Sequence, residues 1–285
     1  MLIAHTLADL RQALAGRGRP AFVPTMGNLH AGHISLVEQA RPLGDVTVAS
    51  IFVNRLQFLP HEDFDSYPRT WEADCAQLRE AGCDVLFAPR EADLYPEPQT
   101  FKVHPDPALA DILEGHFRPG FFVGVCTVVM KLFACVLGAS GGTAVFGKKD
   151  YQQLMVIRQM VRQFALPIDV VAGETRRAED GLALSSRNGY LGTQERSRAR
   201  QLAQALQALA DAALAVQPGQ GGLGALEQQA IEALRSQGWQ PDYLTVRRRS
   251  DLQPPSGDGS LRGGTWVALG AARLGSTRLI DNLEF

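Results

Sequence analysis

The segment Pro24-Thr-Met-Gly-Asn-Leu-His-Ala-Gly-His33 places two histidines and two glycines at the junction of an apolar run, 21–26, and a stretch with helical apolar spacing, 31–40. His30 and His33 lie three residues apart, so a helix would put both imidazoles on one face. The first turn of a helix offers unpaired N–H groups and the positive end of its dipole, which suits an anion such as a nucleotide phosphate. Gly27 and Gly32 would let such a ligand approach the backbone. Taken alone, the pair also reads as surface or capping histidines. As metal ligands the two lack a third at fitting spacing. The strand-to-helix context favours the phosphate reading.

Three further clusters repeat this placement. Asn54 and Gln57 follow a β-branched run, 46–53, and each carries donors and acceptors suited to a small polyhydroxy acid. They read equally as turn residues. Gly147, Lys148, Lys149 and Asp150 close another apolar run. A lysine there could neutralise transferring phosphates, and Asp150 could simply cap the next helix. The stretch from Arg177 to Asn188 gathers a glycine, Ser185, Ser186 and Arg187, which could wrap a polyphosphate or form an ordinary turn. It has no GxSxG elbow, which weakens a serine-hydrolase reading.

The elements that must position these clusters alternate between strand and helix. Strand-like runs at 21–26, 46–53, 85–88, 143–146 and 168–171 are separated by helical patterns at 31–40, 71–81, 121–137 and 150–164. This alternation predicts an α/β fold, a parallel sheet with helices on both faces. After about residue 175 the pattern changes. Helices at 195–216 and 226–237, a Pro/Gly linker at 217–224, a loop at 253–264 and strands at 243–246, 265–269 and 277–280 predict a smaller α+β domain. In an open α/β sheet, residues at the carboxyl ends of strands face the ligand crevice.

Composition narrows the alternatives. At 285 residues the chain is about twice the usual domain size, with 45% hydrophobic and 20% charged residues, an ordinary globular balance. A formal charge of -2 gives no global basic field for nucleic acid. Cys75, Cys83, Cys126 and Cys135 form no CxxC pair and read as reduced thiols of a cytoplasmic protein. The N-terminal residues read as no signal peptide, and the apolar run 121–137, interrupted by Lys131, is short for a bilayer span. Gly219, Gly221 and Gly224 match GxGxxG but follow no strand, so they read as linker. There is no GxxxxGK[ST] phosphate loop.

The blocks PTMGNLHAGH, SIFVNRLQF, LEGHFRPG, GVCTVVMKLF, FGKKDYQQL, DGLALSSRNGYL and STRLIDN, in this order, resemble the pantothenate synthetase (pantoate–β-alanine ligase) family of the HxGH nucleotidylyltransferase-like enzymes. The resemblance spans essentially the whole chain. It implies a Rossmann-like domain over 1–175 that binds nucleotide and pantoate, and a C-terminal lid domain over 176–285, in a homodimer. It implies ATP-dependent condensation of pantoate with β-alanine through a pantoyl adenylate, with Mg²⁺ shielding the phosphates and no assigned metal ligands. Carried over by motif, His30, His33, Lys149, Ser185 and Arg187 would be catalytic. Met26, Gly27, Gly147, Asp150 and Ser186 would join them around ATP, and Asn54, Gln57 and Gln153 would hold pantoate.

Four residues depart from the family pattern: Arg55-Leu56 replaces Pro-Thr or Pro-Met, Lys148 replaces a glutamate, and Phe121 replaces a histidine. Arg55 could recruit the pantoate carboxylate or obstruct it. If Lys148 faces the phosphates beside Lys149, ATP binding becomes more salt-sensitive; a surface-facing Lys148 changes little. Two other readings remain at this level. One is a simple nucleotidyltransferase, separated by its lack of amine-dependent turnover. The other is a catalytically silent nucleotide-binding protein, which would bind ATP without forming AMP.

Overall fold

The computed structural model describes residues 1–59, 64–65, 67–216, 222–255, 261 and 264–285. Most of the linker 217–224 and of the loop 253–264, with Gly219 and Gly221, therefore lies outside the described residues. Contacts divide the chain into two units: residues 1–148 with 152–175, and residues 149–151 with 176–285.

The first unit is built on six parallel strands: β1 (Leu2–Ala4), β2 (Pro20–Thr25), β3 (Val46–Ile51), β4 (Val85–Phe87), β5 (Gly142–Gly147) and β6 (Ile168–Gly173). Their order is β1-β4-β3-β2-β5-β6. All five pairings are parallel. Its helices are α1 (Leu7–Leu14), α2 (Ala31–Ala40), α3 (Trp71–Glu80), the short α4 (Glu91–Leu94), α5 (Pro107–Ala110) and α6 (Glu114–Phe117), then α7 (Phe121–Val136) and α8 (Tyr151–Gln163). Strand alternation decides which face each residue covers. Ala21 and Val23 of β2 and Ala49 of β3 pack with Val37 of α2 and Leu78 of α3. Their neighbours Phe22 and Val48 are fully buried on the opposite face, where α7 contacts β2 and α1 contacts β4 and α7. Burial on both faces explains why β3 reads as a nearly unbroken apolar run.

The chain leaves β2 toward β3 on one side, while β5 lies on the other. This reversal makes the carboxyl ends of β2 and β5 the topological switch point of the sheet, where α/β folds bind ligands. The three-residue β1 escaped the sequence reading because three residues carry no periodicity, and the eight-residue α1 after it escaped as well.

The second unit is an antiparallel sheet, β7 (Gln240–Arg248), β8 (Trp266–Leu274) and β9 (Thr277–Glu284), packed against helices α10 (Gln201–Ala215) and α11 (Leu223–Ser236), with the short α9 (Thr193–Arg198) preceding α10. Its core joins Leu202, Leu206 and Leu209 of α10 to Trp239, Val246 and Ala268. The single helix expected over 195–216 is in fact two. The chain stays near helical geometry at Arg200 (φ -60°, ψ -18°), but the Leu202 N–H bonds the Ala199 carbonyl, three residues back. A turn of 3₁₀ character therefore separates α9 from α10.

Candidate active site

In the first unit β2 runs into a tight loop before α2. Gly27 (φ +82°) and Asn28 (φ +51°) both adopt left-handed conformations. A side chain at Gly27 would also meet Asp74 Oδ2 and Ile51 Cγ2, each 3.1 Å from the added carbon. Asp74 of α3 is 2% exposed and clamps this loop. Its carboxylate accepts from Asn28 N at 2.9 Å, Leu29 N at 2.8 Å and the Thr70 hydroxyl at 2.9 Å. Sequence reasoning missed Asp74, because one carboxylate on an amphipathic helix reads as solvent-facing. Its partners are backbone amides some 45 residues distant, which leave no sequence signature.

The loop delivers His30 to the N-cap of α2, with extended backbone (φ -137°, ψ 171°). His30 Nδ1 accepts from Gly32 N at 3.1 Å, and His33 Nδ1 accepts from His30 N at 3.4 Å. The rings lie 4.1 Å apart between centroids. The capping and phosphate readings of this pair are thus compatible. With each Nδ1 an acceptor, the neutral ring carries its proton on Nε2. Helix capping therefore fixes two N–H donors of known tautomer at the positive end of a helix, beside the switch point.

At the end of β3, a 3₁₀ turn over Arg55–Gln57 carries Gln57, with Asn54 at its N-cap. Asn54 is fully enclosed: its Nδ2 donates to Gln57 Oε1 at 3.1 Å and to the Gly124 carbonyl at 3.2 Å, and its Oδ1 accepts from the Tyr95 hydroxyl at 3.3 Å. Burial pushes the Tyr95 phenol well above its ordinary range, so it remains a donor. Both amide hydrogens of Asn54 are engaged by the protein, so its visible work is to orient Gln57. Gln57 Nε2 reaches Met26 Sδ at 3.1 Å and so ties the end of β3 to the end of β2. Gly124 of α7 permits this packing, since a Cβ there would fall 2.1 Å from the Leu56 carbonyl oxygen.

The departures have local partners. The Arg55 guanidinium lies 3.8 Å from the Phe64 ring centroid and 3.7 Å from Glu91. Phe121 lies 3.8 Å beneath the Arg118 guanidinium, which donates to the Gln57 carbonyl at 3.3 Å. Lys148 pairs with Glu174 at 2.6 Å, which answers its charge within the first unit. Gly147 ends β5, and Gln153 lies half-buried in the first turn of α8. The neighbouring Gln152 is structural: it donates to the Leu109 and Ile112 carbonyls and accepts from Glu114 N.

In the second unit, Lys149 and Asp150 belong to a 3₁₀ turn, with Lys149 Nζ 3.9 Å from Asp150 Oδ1. Asp150 immediately precedes α8, the place of a cap. The Arg177–Asn188 stretch forms a small hairpin, Arg177 bridging Ala183. It is closed by Asp180, whose carboxylate takes two hydrogen bonds from Arg196 at 2.6 and 3.2 Å. Those bonds hold the Asp180 carboxyl below the usual carboxylate range. Ser185 then caps a 3₁₀ turn over Ser186–Tyr190, its hydroxyl accepting from Arg187 N at 3.3 Å.

Among the described residues no group of three or more His, Cys, Asp or Glu side chains could hold a metal ion. The four cysteines are free thiols; Cys75, Cys83 and Cys126 are buried and Cys135 is half-buried. Burial pushes Cys83 up to about 11 and Cys126 to about 12. Among the described residues no helix is long and apolar enough to cross a membrane.

Residues 2–284 match the family model for pantoate-beta-alanine ligase. The chain is 77% identical to a pantothenate synthetase of Paracidovorax citrulli and 66% identical to one of Leptothrix cholodnii, each covered completely, as is this chain. Its fold matches a crystal structure of pantothenate synthetase from Thermus thermophilus with a TM-score of 0.89 and 45% identity, covering 100% of this chain and 99% of that one. It also matches a pantoate-beta-alanine ligase from Francisella tularensis, solved with Beta-gamma ATP and beta-alanine, with a TM-score of 0.81 and 32% identity over 100% and 97% of the two chains. Two histidines at a helix start and two amides at the neighbouring strand end lie at the carboxyl ends of β2 and β3, and the chain belongs to the pantoate–β-alanine ligase family of enzymes.

Proposed function

We propose that this chain joins pantoate to β-alanine in an ATP-driven reaction that passes through a pantoyl adenylate. The observation that carries the reading is that His30 and His33 each accept a backbone N–H on Nδ1 at the start of α2, which assigns the ring proton to Nε2 beside the switch point of the sheet. In the first step a pantoate carboxylate oxygen attacks the α-phosphorus of ATP, a P–O bond forms, and the bond to the leaving pyrophosphate breaks. The carboxylate is already ionised at neutral pH, so this step needs no base. In the second step the β-alanine amine attacks the acyl carbon. A C–N bond forms, the C–O bond to AMP breaks, and the amine loses its proton to solvent.

The residues divide this work by their chemistry. His30 and His33 donate to phosphate oxygens as charge moves onto the leaving group, an interaction that strengthens in the transition state. Lys149 supplies a point charge to the same phosphates, and Ser185, Ser186 and Arg187 supply hydroxyl and guanidinium donors. Met26 through its backbone, Gly27, Gly147 and Asp150 line the nucleotide. Gln57 and Gln153 hold the pantoate hydroxyls and carboxylate, and Asn54 sets the orientation of Gln57. Mg²⁺ bound to the ATP phosphates and water would shield their negative charge, and no side chain of this chain is assigned as its ligand. Residues 176–285 act as a lid that keeps water from the mixed anhydride. The Francisella relative's ligands support ATP and β-alanine as substrates. A homodimer in the cytoplasm completes the reading: the family resemblance implies the first, and reduced thiols suit the second.

The test is release of AMP and pyrophosphate by purified protein given ATP, Mg²⁺, pantoate and β-alanine, each omitted in turn. AMP formation that requires pantoate, with multiple turnover that also requires β-alanine, is the expected result. ATP binding without AMP formation would refute it.

A further inference from the structure

Residues 277–282 of the closing STRLIDN segment belong to β9, and no step above uses them. Two adjacent polar residues of this strand, Asp281 and Asn282, are buried. Each is committed to one of the segments that carry phosphate-binding residues in the second unit. Asn282 Nδ2 donates to the Lys149 carbonyl at 2.8 Å. Two residues on, at the next position of the same strand face, Glu284 accepts from the Tyr151 hydroxyl at 2.8 Å and pairs with Arg249 at 3.0 Å. This face of β9 therefore grips the Lys149–Tyr151 segment at both ends. Asp281 takes a bidentate pair of bonds from Arg177 at 2.7 and 2.8 Å, and Arg177 also donates to the Asn282 carbonyl at 3.1 Å. Arg177 opens the hairpin that leads to Ser185–Arg187, and a further bond to the Gly181 carbonyl at 3.0 Å holds its turn.

We infer that Asp281 and Asn282 are positioning residues for adenylate formation: the last strand sets Lys149 and the Ser185–Arg187 turn in one fixed relation. The inference rests on the reading of Lys149, Ser185 and Arg187 as phosphate-binding residues. A bidentate Arg–carboxylate pair fixes direction as well as distance. A buried amide bonded to a main-chain carbonyl fixes the backbone from which the lysine extends. Neither residue touches substrate in this account.

The experiment measures single-turnover pantoyl adenylate formation in wild type, Asn282→Ala, Lys149→Ala and the double variant, with thermal unfolding alongside. Losing one such bond lowers the adenylation rate constant of Asn282→Ala by about tenfold, with the KM for pantoate unchanged. In the Lys149→Ala background the same substitution has little further effect, because what it positions is gone. A merely structural role would lower the unfolding temperature, leave the rate of the folded enzyme intact and add no coupling to Lys149. If Asn282→Ala does not fold, the isosteric Asn282→Asp replaces it, with the same expectations. Normal adenylation by a folded Asn282 variant, or losses that multiply in the double variant, overturns the inference. A Lys149→Ala enzyme that adenylates normally instead overturns the phosphate reading beneath it.

Discussion

His30 has two duties in this structure, and substitution can separate them. Its Nδ1 caps α2 by accepting from Gly32 N, while its Nε2–H is the donor assigned to phosphate. Asparagine at this position keeps an acceptor where the cap needs one; alanine removes it. Loss of an N-cap costs about 1 kcal/mol. For a chain of this size that lowers the unfolding temperature by about 2–4 °C. His30→Ala should therefore melt lower by that amount, and His30→Asn should melt within about a degree of wild type. Both lose the imidazole N–H, and removal of one preorganised donor to a developing anion costs about 10²–10³ in rate. The assay pairs calorimetry with pantoate-dependent exchange of labelled pyrophosphate into ATP. Catalysis should fall alike in both variants while stability separates them. A His30→Asn enzyme with wild-type exchange would show that the histidine serves the helix alone.

Asp74→Asn leaves one of the Asn28 and Leu29 N–H groups facing an amide instead of an oxygen, so the protein should lose about 1.5–3 kcal/mol in denaturant unfolding. Displacement of the loop should also slow adenylation; unchanged stability and rate would remove the clamp from the account. Gln57→Ala should raise the KM for pantoate more than that for ATP, and equal losses for both would make Gln57 structural. The Asp180 carboxyl is held below its ordinary 3.8 in the fold, chiefly by the hydrogen bonds from Arg196. Its stabilising contribution is present above about pH 4 and is lost as pH falls through the folded value. Asp180→Asn should therefore flatten the acid limb of a plot of unfolding temperature against pH, and an unaltered limb would show that this pair carries none of it.

Local pattern revealed the alternation of strands and helices and the residues at the strand ends, because periodicity and turn residues are properties of neighbours in the chain. The helices at 31–40 and 121–137 are found within a residue of their expected bounds. What escaped depends on partners distant in sequence. Asp74 holds a loop from another helix, Tyr95 steadies Asn54 across 41 residues, and Asn282 meets Lys149 across 133. Nothing in the composition of those segments announces the meeting. Arg55 and Lys148 are of the same kind, with Glu91 3.7 Å from one and Glu174 2.6 Å from the other. Asn54 shows the converse: its type and place were legible, but only the fold shows its amide engaged by Gln57, Gly124 and Tyr95.

The central claim is that the pantoate carboxylate itself attacks the α-phosphorus. It is tested most directly by supplying pantoate labelled with heavy oxygen in the carboxylate, together with ATP and β-alanine, and following the label by mass spectrometry. The account predicts one labelled oxygen in each AMP released, the other in the amide carbonyl of pantothenate, and none in pyrophosphate. Unlabelled AMP beside newly formed pantothenate, or label recovered in a phosphate other than AMP, would contradict it.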